Sequence, residues 1–71
     1  MKNREIAGIF DDIADLLEIK GENPFRIRAY RRAALNIESL TKDVGETPKD
    51  ELLKVPGIGK DLAGKIEEFV K

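Results

Sequence analysis

Val55-Pro56-Gly57-Ile58-Gly59-Lys60 is the segment of this sequence best suited to chemistry, and that chemistry is the capture of an oxyanion. Proline stops a preceding helix, and two glycines flank an isoleucine before a new apolar pattern begins at once. Glycine accepts φ > 0 and lets another backbone come close, because no Cβ intrudes. A fresh helix N-terminus leaves several N–H groups unpaired, and the positive end of the helix dipole reinforces them as an anion site. Lys60 adds a mobile positive charge, and Ile58 is expected to plug the turn into the core. A bare Pro-Gly-x-Gly is also an economical connection between two helices. Here Leu52-Leu53 before it and Leu62-Ala63…Ile66 after it fit a phosphate-binding hairpin on both sides.

Other chemistry is narrowly bounded. The 71 residues contain no cysteine and no histidine, which removes disulfides, the usual zinc ligands, and catalysis by thiolate or imidazole. The carboxylates are scattered and no D-x-D-x-D-G loop is present, so neither a metal held by side chains nor any cofactor is expected. Nucleophilic work is left to lysine, with tyrosine in support. The net charge of −1 hides a pattern. Residues 20–32 hold Lys20, Arg26, Arg28, Arg31 and Arg32 against Glu22 alone, and residues 54–71 hold four lysines against three acids. Residues 1–19 and 33–53 each carry two basic and five acidic groups. A locally basic face on a near-neutral domain suits a few phosphate contacts; a solvated helix face would read the same way.

These groups must be positioned by helices, and four are expected, at about 3–19, 24–39, 48–54 and 60–70. In the first, Ile6, Ile9/Phe10, Ile13 and Leu16/Leu17 recur at three- and four-residue spacing, and Gly21 supplies the stop. Asn23-Pro24 reads as an N-cap followed by proline at the first helical position. Ile27, Tyr30, Ala33, Ala34 and Ile37 then share one stripe, with Arg28, Arg31, Arg32 and Leu35 opposite. Thr41 to Glu46 reads as a loop. Thr47-Pro48 repeats the cap-plus-proline signal, with Leu52 and Leu53 facing inward, and the last helix buries Leu62, Ala63, Ile66 and Phe69/Val70. The expected fold is all-α, one domain over residues 1–71, built as two antiparallel helical hairpins. Length and core size place it near the lower limit for independent folding. No apolar run approaches the roughly 20 residues of a membrane span, and no secretory h-region follows Met1-Lys2. A cytoplasmic, nucleoid-associated protein with no membrane partner is expected.

The segment from Leu53 to Ile66 resembles the helix-hairpin-helix of DNA repair proteins. With Ile13-Ala14…Leu17-Glu18, Asn23-Pro24-Phe25-Arg26 and Ala29-Tyr30-Arg31-Arg32-Ala33-Ala34, nearly the whole chain resembles the small N-terminal domain of family X DNA polymerases. The resemblance implies sequence-tolerant DNA binding in base excision repair, on the 5′-phosphate side of a gap. It implies a polymerase catalytic domain elsewhere in the parent chain, so primer extension is not expected of these residues alone. DNA phosphate contacts then fall on Val55, Gly57, Ile58, Gly59 and Lys60 of the hairpin and on Arg26, Arg28, Arg31 and Arg32.

Some members of that family use this domain as a 5′-deoxyribose-phosphate lyase, through a lysine Schiff base followed by β-elimination. That lysine falls on Lys65, with Tyr30 matching a tyrosine beside the family's site. Lys65 lies about 100° from the centre of its helix's apolar stripe, so its stem can pack while its amine reaches a rim. Asp61 departs from the pattern: lyases of the family carry a phosphate-binding lysine there, and a carboxylate one turn before Lys65 can pair with it. Arg26 stands where another phosphate-binding lysine is found. Three readings stay open: a non-catalytic DNA-binding module, a lyase acting through Lys65, and a helical protein-interaction or engineered scaffold without DNA function.

Overall fold

The computed structural model describes residues 2–70. Among them α1 spans Asn3–Ile19, α2 Pro24–Glu38, α3 Lys49–Leu52 and α4 Lys60–Phe69, with a 3-10 turn at Val44–Glu46 and no strand. The fold is all-α, as two helical hairpins, α1 with α2 and α3 with α4.

Small residues set how closely the first hairpin packs. Ala7 and Ala14 of α1 and Ala33 and Ala34 of α2 are all buried, so the two helices approach along their length with little between them. Ile6 and Phe10 are buried beside the alanines, and Ile9, Ile13 and Leu17 pack at the edge. Leu16 is exposed, so the stripe passes through Leu17 alone at that turn. α1 ends in a Schellman motif. Gly21 takes φ 70°, its N–H donates to the Glu18 carbonyl, and the Glu22 N–H reaches back to Leu17. Asn23 then caps α2, its side chain accepting from the Phe25 N–H at 2.8 Å, with Pro24 in the first turn.

Phe10 is the centre of the core. Tyr30 meets it edge-on at a centroid distance of 5.6 Å, and Phe69 at 6.2 Å. Leu52, Ile58, Leu62, Ala63 and Ile66 close the core from the second hairpin. Asn3 joins the two halves. It is buried, donates to the carbonyls of Lys42 and Leu40, and accepts from the Val44 N–H at 2.8 Å. Asp43 caps the 3-10 turn by accepting from Gly45 N–H at 2.9 Å.

Three local expectations need correcting. The stretch at 41–46 contains that 3-10 turn, which is too short to show periodicity. Thr47 does not cap α3: its hydroxyl donates back to the Asp43 carbonyl, and Pro48 is the residue preceding the helix. α3 itself is a single turn. Past Leu52 the chain tightens through Lys54 N–H to Glu51 and Val55 N–H to Leu52, which turns Leu53 out to 41% exposure instead of inward. No helix of the described residues is long and apolar enough to cross a membrane.

Candidate nucleic-acid interface

The hairpin turn is held from three sides. Ile58 is buried and anchors it below. Its own N–H closes the turn onto the Val55 carbonyl at 3.0 Å, and the Val55 N–H is bonded to Leu52. Gly57 takes φ 87°, the left-handed region where a Cβ is costly. The third side is α2. The Asn36 side-chain amide donates to the Pro56 carbonyl, and a Cβ added at Gly57 would stand 3.0 Å from Asn36 Nδ2 and 3.4 Å from Arg32 Cγ. Gly57 is therefore glycine on two counts, backbone conformation and close approach.

With the amides of Val55 and Ile58 occupied inside the turn, the open donors are those that follow. Among the described residues, the backbone N–H groups of Gly57, Gly59, Lys60, Asp61 and Leu62 have no protein acceptor. Gly59 precedes α4 with φ −92° and ψ −173°, and no side chain caps that helix. Nothing lies within 4 Å of a Cβ built on Gly59, so the space beside that residue is open. The result is a row of unpaired donors at the positive end of a ten-residue helix. Lys60 stands at its start, exposed and free of any carboxylate within ion-pair distance among the described residues.

The α2 arginines do not act alike. Arg32 is exposed and unpaired among the described residues, its methylenes lying against the hairpin at Gly57. Arg28 places its guanidinium over the Phe25 ring, 5.0 Å from the centroid, and shares with Phe25, Ala29, Arg32 and Gly57 an open depression of about 530 Å³. Arg26 is mostly free, with Glu22 at 3.9 Å. Arg31 faces the other way. It bonds Asp15 at 2.8 Å and Glu18 at 3.1 Å, with Asp11 at 3.8 Å. The bond to Asp15 is the largest influence holding its pKa above the ordinary arginine value, against some desolvation and with help from Glu18. Arg31 is thus committed to α1 rather than to the face shared by Arg28 and Arg32.

A second depression, also about 530 Å³, lies between α2 and α4. It is lined by Arg26, Tyr30, Lys60, Asp61, Lys65 and Glu68, among others. Tyr30 is nearly buried against Phe10, yet it borders this space. Lys65 is half-buried, as its place at the edge of the apolar stripe implies. Among the described residues neither Asp61 nor Glu68 comes within 4.0 Å of its amine. Among those residues, too, no cluster of acidic side chains is arranged to hold a metal.

Asn36 was not legible as a site residue. The available signal was an asparagine in the interior of a helix, where its side chain competes with helical backbone bonding, one turn past Arg32. Phe25 entered only within the Asn23-Pro24-Phe25-Arg26 motif, with no signal that its ring would lie under Arg28.

Residues 1–71 match the model of the helix-hairpin-helix domain, and the chain belongs to that family. Within it the type is that of PolX. Over 70 residues, 99% of the chain, it is 33% identical to DNA polymerase/3′-5′ exonuclease PolX of Bacillus subtilis (strain 168). The chain spans 12% of the length of that relative.

Proposed function

We propose that the chain binds the sugar-phosphate backbone of DNA, without reading sequence, as the DNA-contacting domain of a family X polymerase. One observation carries the reading: the unpaired amides of Gly57, Gly59 and Lys60 gather at the hairpin, with open space beside Gly59 and the free cations of Lys60 and Arg32 nearby. A phosphate oxygen is the partner that satisfies several N–H donors and a positive charge at once. Arg28 and Arg26 extend the same positive surface along α2, whereas Arg31 is withheld by α1. Contacts of this kind fix position and supply affinity but carry no base code. The preferred target is DNA with a 5′-phosphate at a gap, where a terminal phosphate offers an extra charge. Fluorescence anisotropy with gapped DNA, with and without the 5′-phosphate, tests the reading. Tighter binding to the phosphorylated form is expected; no binding to either form at low salt excludes it.

A second reading is favoured by the depression that gathers Arg26, Tyr30, Lys60 and Lys65. A terminal deoxyribose phosphate could set its phosphate against Arg26 and Lys60 and its aldehyde against the Lys65 amine. The amine adds to the aldehyde and water leaves; the iminium acidifies the neighbouring C–H, and loss of that proton breaks the sugar's 3′ C–O bond, so that the strand departs with a 5′-phosphate. Lys65 is half-buried and unpaired among the described residues, so its amine is not tied up by Asp61. Borohydride trapping on an incised abasic site reads this directly. A covalent adduct lost in Lys65→Met supports lyase chemistry, and binding without any adduct leaves the first reading alone.

A further inference from the structure

We propose that Asn36 is a positioning residue that locks the hairpin turn to α2, so that the hairpin amides and the Arg32 guanidinium grip two successive phosphates of one strand. The inference rests on the DNA-binding reading above and adds the residue that sets the site's geometry.

Ile58 anchors the turn in the core, and among the described residues no side chain besides Asn36 hydrogen-bonds to it. Its internal bond, Ile58 N–H to Val55, closes the loop but does not orient it against the first hairpin. Asn36 supplies that orientation by donating to the Pro56 carbonyl from the interior of α2. One turn earlier, Arg32 packs its stem against the same place: the space a Gly57 Cβ would fill is bounded by Asn36 Nδ2 at 3.0 Å and by Arg32 Cγ and Cδ at 3.4 and 3.7 Å. Residues 32 and 36 are neighbours on one helix face. A single face of α2 therefore holds the turn with one side chain and sets a free cation beside it with the next. The amide row begins at Gly57, and the Arg32 stem packs beside that residue, at one end of the row. One phosphate cannot occupy both ends. Consecutive phosphates of a strand can.

Asparagine is a poor choice inside a helix on propensity alone, and alanine is the best helix former. Asn36→Ala should therefore leave α2 intact while releasing the turn. In ¹⁵N-labelled protein, the Gly57 and Gly59 amide resonances are expected to shift and the Ile58 amide, bonded to Val55, to exchange faster, with amides of α1 unchanged. With a 5′-phosphorylated single strand, Asn36→Ala should bind about five- to tenfold more weakly. Arg32→Ala should weaken binding and reduce the salt slope by about one contact. The deciding measurement is the double-mutant cycle. If Asn36 aligns the turn with Arg32, the loss from Arg32→Ala is markedly smaller in the Asn36→Ala background. Additive losses, or an Asn36→Ala protein that binds as the unsubstituted one does, overturn the positioning role while the DNA-binding reading stands. If the unsubstituted protein fails to bind, both readings fall together.

Discussion

The two glycines of the turn are not equivalent, and their difference gives a sharp test of where an anion sits. Gly57 is fixed by the fold: a side chain there meets φ 87° and Asn36 at 3.0 Å. Gly57→Ala should cost about 1–2 kcal/mol of stability through backbone strain alone. Gly59 has ordinary extended backbone and open space around it, so the fold does not require glycine. It occupies the N-cap of α4, where serine is preferred over glycine by a few tenths of a kcal/mol. Gly59→Ser is expected to raise the urea midpoint slightly. The same hydroxyl would accept from amides of the first turn and so compete with phosphate. DNA affinity should fall severalfold while stability rises. Should affinity hold in a folded Gly59→Ser protein, those amides are not the phosphate ligands. The sequence made the glycine pair and Ile58 legible because composition and spacing are local properties. It could not separate Gly57 from Gly59, since the difference lies in what α2 places beside one and not the other.

At the scale of elements, charge is sorted by helix. α1 carries Asp11, Asp15 and Glu18 toward α2, and together they hold Arg31. Each pair is solvent-exposed and contributes little to stability. Their effect is on the surface presented: one arginine of α2 is turned away from the hairpin and its charge offset. Replacing all three partners, Asp11→Asn with Asp15→Asn and Glu18→Gln, frees Arg31 and removes three negative charges. The expected outcome is DNA binding a few-fold tighter, with a steeper salt dependence, and little change in thermal midpoint. An unchanged affinity would mean that Arg31 lies out of reach of the strand even when released. The legible elements are those long enough to show a period. α1 and α4 carry clear stripes, and the Asn23-Pro24 start and Gly21 stop are local signals the chain obeys. α3 is one turn long, and Thr47-Pro48 imitates a cap while Thr47 bonds backward to Asp43. In such a segment long-range contacts decide. The burial of Val44 and the reach of Asn3 to residues 40, 42 and 44 are visible only once the halves are docked.

For the molecule as a whole, the question is whether electrostatics or apolar contact holds the strand, because both are on the surface. Phe25 is 74% exposed and Leu35 70%, on the same helix as Arg28 and Arg32. A net charge of −1 gives no general attraction to a polyanion. On the proposed reading, binding comes from the face that carries Lys60, Arg32, Arg28 and Arg26, with the acidic face of α1 favouring one orientation. About three to five phosphate contacts release as many counterions from duplex DNA, so raising salt from about 50 to 200 mM should weaken binding by roughly 40- to 500-fold. An apolar contact through Phe25 and Leu35 would respond little to salt over that range. The two are separated by titrating gapped DNA at four or more salt concentrations. A plot of log affinity against log salt with slope near zero would remove the phosphate grip as the source of affinity. A slope of about −2.7 to −4.5 that survives Leu35→Ser would assign the affinity to charge, leaving apolar residues on α2 a secondary part.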